Sequence, residues 1–125
     1  MHLADDGAAK IIDVDEEFWS QIAHRTDLHQ GRLLSASRMT GSPGHWEMHP
    51  RGDEILILLP GSVDVILETT RSEQVVALRK RGSCIVPSGV WHRQIVHEPS
   101  EMIFITPGRA PSTARCSSRP RRLRL

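Results

Sequence analysis

GSPGHWEMHPRGDEILILLPG, residues 41–61, is the stretch whose reading decides the fold. It reads as two short strands joined by a turn. Side chains alternate faces along a strand, so Glu47 and His49 share one face and Met48 takes the other. Pro50-Arg51-Gly52-Asp53 is turn chemistry, a fixed φ followed by a residue that accepts any φ. The chain therefore reverses, and Glu54 opens the apolar run of residues 55–59 close to His49. A second stretch, GSCIVPSGVWH at residues 82–92, ends on a further donor, His92.

Outward from this hairpin the same pattern repeats. Strands are predicted at residues 32–38, 45–49, 54–59, 62–68, 74–79, 83–86, 91–96 and 101–106. Pro60-Gly61-Ser62, Arg81-Gly82-Ser83, Pro87-Ser88-Gly89 and Glu98-Pro99-Ser100 supply the turns between them. About eight short strands at close spacing, with no helical period after the first segment, predict an all-β sandwich or small barrel. We divide the chain into an N-terminal arm with a short helix at 1–30, a barrel at 31–108, and an Arg-rich tail at 109–125. Residues 1–12 read as loosely attached. The helix is expected to start near Asp13, with an acidic cap and first turn ahead of Phe18, Trp19 and Ile22, and to plug one end of the barrel or cover a sheet edge. The tail has no apolar periodicity and is expected to be irregular.

With 125 residues the chain has room for one domain, and 38% hydrophobic and 25% charged residues suit a soluble globular protein. No apolar run approaches the ~20 residues of a membrane helix, and the first ten residues lack the basic-then-apolar order of a signal peptide. Cys84 and Cys116 do not make a disulfide framework, so a reducing cytoplasm is expected. The net charge of +1 hides an uneven distribution, since Arg109, Arg115, Arg119, Arg121, Arg122 and Arg124 crowd the last segment. A basic segment can contact nucleic acid, but no aromatic residues interleave these arginines and no recognition helix accompanies them, which argues against that partner. No nucleophile–base constellation, phosphate loop or dinucleotide fingerprint competes for the function.

Glu47, His49, Glu54 and His92, converging inside a barrel, would hold one divalent ion. Imidazole suits Zn, Fe, Ni and Cu, and carboxylate shifts the preference toward Mn and Fe(II). Two carboxylates against a 2+ ion make a neutral site, which favours neutral over anionic ligands. If one carboxylate does not ligate, two His and one carboxylate remain with open positions, and the released Glu54 or Glu47 is placed for general-base work. Taken singly, His49 reads as a hydrogen-bonded strand histidine rather than a ligand, Glu54 as a solvated charge, and Glu47 carries no signal. His45 shares the face of Glu47 nearer the mouth, as a substitute ligand, a proton shuttle, or an exposed histidine at a strand start. Gln94 shares the face of His92 and can hydrogen-bond a ligand, whereas His97 has the opposite parity and points outward. Trp46, Met48 and Trp91 read as packing or interface residues rather than substrate contacts.

These two stretches resemble the motifs of the cupin superfamily, in its small, single-domain, cupin-2-like form. The first motif runs Gly41, five residues, Glu47, Met48, His49, four residues, Glu54, six residues, Gly61, with every spacing in place. Glu47 stands where the family has its first His. The second runs Gly82, four residues, Pro87, Ser88, Gly89, two residues, His92, with Val96 at the position of the terminal Asn. The resemblance implies a jelly-roll barrel over roughly residues 30–108 and one divalent ion (Fe, Mn, Zn or Ni) on Glu47, His49, Glu54 and His92. It also implies a small-molecule ligand, a homodimer, and dioxygenase, isomerase or lyase chemistry. The alternative is a cupin that binds or senses a small ligand without catalysis, its metal site degraded. Close cupin relatives follow Thr-Pro-Gly, here Thr106-Pro107-Gly108, with a Gly-Thr-Glu-His-like stretch. Codons for the residues that follow here admit that stretch in a neighbouring frame, so the basic tail reads as a frame shift or a sequencing slip.

Overall fold

The strand alternation read from the sequence closes into two antiparallel sheets in a computed structural model that describes residues 1–108 and 112–115. In chain order the strands are β1 (His2–Leu3), β2 (Ala9–Lys10), β3 (Arg32–Met39), β4 (His45–Met48), β5 (Glu54–Leu58), β6 (Ser62–Glu68), β7 (Glu73–Arg79), β8 (Ser83–Val86), β9 (His92–Glu98), β10 (Ser100–Pro107) and β11 (Ser112–Arg115). One sheet runs β2-β1-β3-β10-β5-β8 and the other β11-β4-β9-β6-β7. The architecture is the all-β jelly roll expected from the sequence, and the predicted central strands agree within a residue or two.

Period two explains the core. Along β5, Glu54, Leu56 and Leu58 turn inward while Ile55 and Ile57 are half-buried on the outer side. Leu56 and Leu58 meet Val63, Val65 and Leu67 of β6, Leu78 of β7, Val86 of β8 and Met102 of β10 between the sheets. Each such side chain removed from water contributes about 1.5–3 kcal/mol. Gly61 carries the chain from β5 in one sheet to β6 in the other with φ of +130°, and a Cβ there would lie 2.1 Å from Ser100 Oγ. That hydroxyl accepts from the Ser62 N–H at 3.0 Å and donates to the Glu98 carbonyl at 2.8 Å, locking the crossover.

Both ends of the chain differ from expectation. The arm expected to be loose pairs instead, with His2 opposite Leu33 on β3 and β2 folded back on β1. His2 is buried, its Nε2 bonded to the Gln30 carbonyl at 2.6 Å. A sheet edge accepts any backbone with free N–H and C=O groups, so a polar arm without apolar periodicity still docks. The helix, α1 (Phe18–Gln21), is shorter and later than expected, and tight turns at Ile22–His24 and Thr26–Leu28 follow it. No acidic side chain caps it; Asp15 Oδ1 accepts from the Glu17 N–H before the helix begins. Phe18, Ile22, Leu28 and Leu33 form a second apolar cluster that fastens this segment to β3.

The tail expected to be irregular contains a strand. β11 lies antiparallel to β4, Thr113 opposite Glu47 and Arg115 opposite His45, by the same edge-pairing logic. The rest of the Arg-rich segment, residues 109–111 and 116–125, lies outside the described residues. Among the described residues no helix is long and apolar enough to cross a membrane.

Candidate metal centre

Glu47 on β4 sits directly opposite His92 on β9, so the two side chains leave the same sheet on the same face. His49 follows one residue beyond β4. Its carbonyl accepts from the Gly89 N–H at 2.8 Å, and Asp53 Oδ1 accepts from the Ser88 N–H at 2.9 Å. These two bonds lace the Pro50–Asp53 turn to the Pro87–Gly89 turn, drawing His49, Glu54 and His92 together from segments far apart in sequence. Glu54 enters from the other sheet, at the head of β5.

The four residues predicted as ligands do converge. Glu47, His49, Glu54 and His92 each offer a donor atom within 4.8 Å of all the others. His92 Nε2 lies 2.9 Å and His49 Nε2 3.4 Å from Glu54 Oε2, with the imidazole centroids 5.7 Å apart. His49, Glu54 and His92 are almost wholly buried, and Glu47 is partly open to a cavity. Despite the short distances, His49 Nε2, His92 Nε2 and Glu54 Oε2 make no aligned hydrogen bond. Buried polar atoms without partners are costly, and donor atoms gathered this closely are what a cation would satisfy. The donor set fits one divalent ion.

Burial alone would push the Glu54 carboxyl up, but the adjoining His49 and His92 imidazoles outweigh it and hold it down at about 2. The acid is therefore ionised throughout the neutral range, as a ligand must be. Thr106 Oγ1 donates to its other oxygen, Oε1, at 3.0 Å. Sequence reading missed Thr106. Its parity with Met102 on β10 would have placed it inward.

His45 does not join the four donors. Its Nε2 lies 2.6 Å from Glu47 Oε1, and since a carboxylate only accepts, this nitrogen carries the proton. Gln94 is buried and lines the cavity, as its parity implied. His97 faces outward and pairs with Asp64 at 2.8 Å. Trp46 is buried packing, with the Arg93 guanidinium 5.0 Å over its ring.

The cavity that Glu47, His49 and Glu54 open into has a volume of about 580 Å³. Ser35, Ser37 and Met39 of β3, Phe104 of β10, and Trp19 and Ile22 of the N-terminal segment also line it. The N-terminal helix thus contributes Trp19 to the cavity lining.

Two stacked antiparallel sheets with a His/Glu donor cluster facing inward define the class: a jelly-roll protein of cupin architecture. No family model and no curated protein matches the sequence. Solved structures do. A cupin-2 domain protein from Shewanella frigidimarina superposes with a TM-score of 0.53 at 21% identity, over 61% of this chain and 70% of that one. The TDP-quinovose 3,4-ketoisomerase from Campylobacter jejuni gives 0.52 at 16% identity, over 60% of this chain and 61% of its own. Hydroquinone 1,2-dioxygenase from a Sphingomonas species, with 4-hydroxybenzoate bound, gives 0.51 at 16%, over 80% and 81%. The chain has the cupin fold.

Proposed function

We propose that this protein uses one divalent ion, held by Glu47, His49, Glu54 and His92, to transform a small molecule bound in the adjoining cavity. The observation that carries the reading is the meeting of four donors from both sheets, their ligand atoms within 4.8 Å of one another and three of the residues buried with unpartnered atoms. Iron, manganese, zinc and nickel all suit this donor set. Bound there, the ion would polarise substrate oxygens and stabilise developing negative charge, in dioxygenase, isomerase or lyase chemistry. The chain's own residues divide the remaining work. Glu54, deep and bonded to Thr106, stays a ligand. Glu47 is the more open of the two carboxylates, so if either is released from the ion for general-base work it is Glu47 in place of Glu54, with His45 to pass the proton on toward the cavity mouth. Protein purified without chelator or histidine tag is expected to carry about one ion per chain, and His49→Ala with His92→Ala to carry none. Stoichiometric metal in that double variant defeats the assignment.

One observation favours a second reading, a binding or sensing cupin without catalysis. Among the described residues neither His49 Nδ1 nor His92 Nδ1 has a protein hydrogen-bond partner, so no carboxylate or carbonyl fixes the tautomer of either ring. A metal-loaded protein that binds small molecules yet leaves them unchanged selects it. A homodimer and a reducing compartment complete the proposal. Exposed Val75 on β7 and Ile85 on β8, both edge strands, offer an interface, and Cys84 is a free, buried thiol. Light scattering that gives a single-chain mass would remove the dimer.

A further inference from the structure

We infer that Glu47 acts as a charge selector: it makes the loaded site neutral, so that the cavity takes an uncharged aromatic-sized molecule bearing a hydroxyl and turns away carboxylates. The inference rests on the metal reading above. With the imidazoles neutral, Glu47 and Glu54 balance a 2+ ion, leaving an anion no net attraction. A histidine in place of Glu47 would leave one positive charge facing the cavity.

The geometry makes that negative charge a fixed feature. Glutamate has one more side-chain torsion than histidine and, left free, would swing away from the cluster. His45 prevents this by donating to Oε1 at 2.6 Å, which leaves Oε2 available to an ion or a ligand. Register adds a second constraint, since Glu47 lies opposite His92 in the ladder. The cavity beyond suits the ligand class in size and lining. Its volume of about 580 Å³ falls within the usual range for drug-sized molecules. Trp19, Met39 and Phe104 give it apolar surface for a ring, while Ser35, Ser37 and Gln94 can exchange hydrogen bonds with an uncharged hydroxyl.

Phenol and benzoate carry the same ring and differ in charge at pH 7, so they separate the effects of charge and shape. Full-length protein loaded with one equivalent of zinc is titrated with each, by calorimetry or ligand-observed NMR, and zinc is counted in the same samples. The wild type should prefer phenol, because the neutral site gives benzoate no attraction to offset its lost hydration. The unit charge added by Glu47→His should shift the ratio toward benzoate by about tenfold or more, bringing it to parity or reversing it. Glu47→Gln, which keeps an acceptor for His45 and serves if the histidine variant misfolds, should shift it the same way. Equal binding of phenol and benzoate by zinc-loaded wild type overturns the inference, as does binding of neither, or an unchanged ratio in zinc-loaded variants. Wild type that holds no zinc overturns the metal reading first and this inference with it.

Discussion

Glu54→Gln tests the electrostatics of the centre without any ion. In the metal-free protein the carboxyl sits at about 2 against an ordinary 4.5, burial opposing and the two imidazoles outweighing it. A depressed folded-state pKa means stability that is complete above the unfolded value and lost as pH falls toward the folded one. Here the window runs from about 4.5 down to about 2. The gap of about 2.5 units corresponds to roughly 3 kcal/mol at 1.36 kcal/mol per unit. For a domain of this size that is on the order of 10 °C in melting temperature. The side chain is 3% exposed, so solvent screening removes little of it. Glutamine keeps the shape and an acceptor for Thr106 but does not titrate. Thermal unfolding followed by circular dichroism at steps from pH 4.5 to 2, in chelator, should show the wild type losing about 3 kcal/mol more than the variant. Acids away from the centre such as Asp27 and Asp64, held down by their Arg25, His97 and Arg79 partners, titrate in both proteins and cancel. Parallel acid curves for the two proteins would refute the reasoning.

Burial first, and then the negative charge of Glu54, push the Cys84 thiol up, so its thiolate is scarce at neutral pH. Alkylation of the Cys84 peptide, followed by mass spectrometry, should be at least roughly tenfold slower in folded than in urea-unfolded protein; equal rates would show the β5–β8 pair open. Gly61→Ala places a Cβ 2.1 Å from Ser100 Oγ at a φ that side chains rarely adopt, and should cost about 2 kcal/mol or more in urea unfolding. A loss under about 0.5 kcal/mol would mean the crossover relaxes freely.

Much of this protein was legible in the chain because its information is local. Alternation along residues 54–59 and 62–68 marks which side chains turn inward, and Pro50–Asp53 and Pro87–Gly89 mark where the chain reverses; both follow from backbone geometry within a few residues. The four donors were legible only through their resemblance to the cupin motifs, since taken singly each has an ordinary structural reading. Backbone pairing at sheet edges was not legible, because it needs no side-chain pattern: β1, β2 and β11 dock through N–H and C=O groups that every sequence carries. The short helix escaped in length, since the packing of Phe18 and Ile22 on Leu28 and Leu33, rather than an acidic cap, decides where it starts and stops.

The sequence by itself thus determined the two-sheet class, the inward set of Glu47, His49, Glu54 and His92, and the departure of Glu47 from the expected histidine. Only the tertiary structure decided that His45 serves Glu47 instead of joining the ring of donors, that Thr106 anchors Glu54, and that Trp19 and Phe104 line one cavity with them. The physical reason is range. Strand parity is written by neighbours two residues away, whereas a contact between β10 and β5, or between the helix and the barrel, depends on how two sheets close over a shared core.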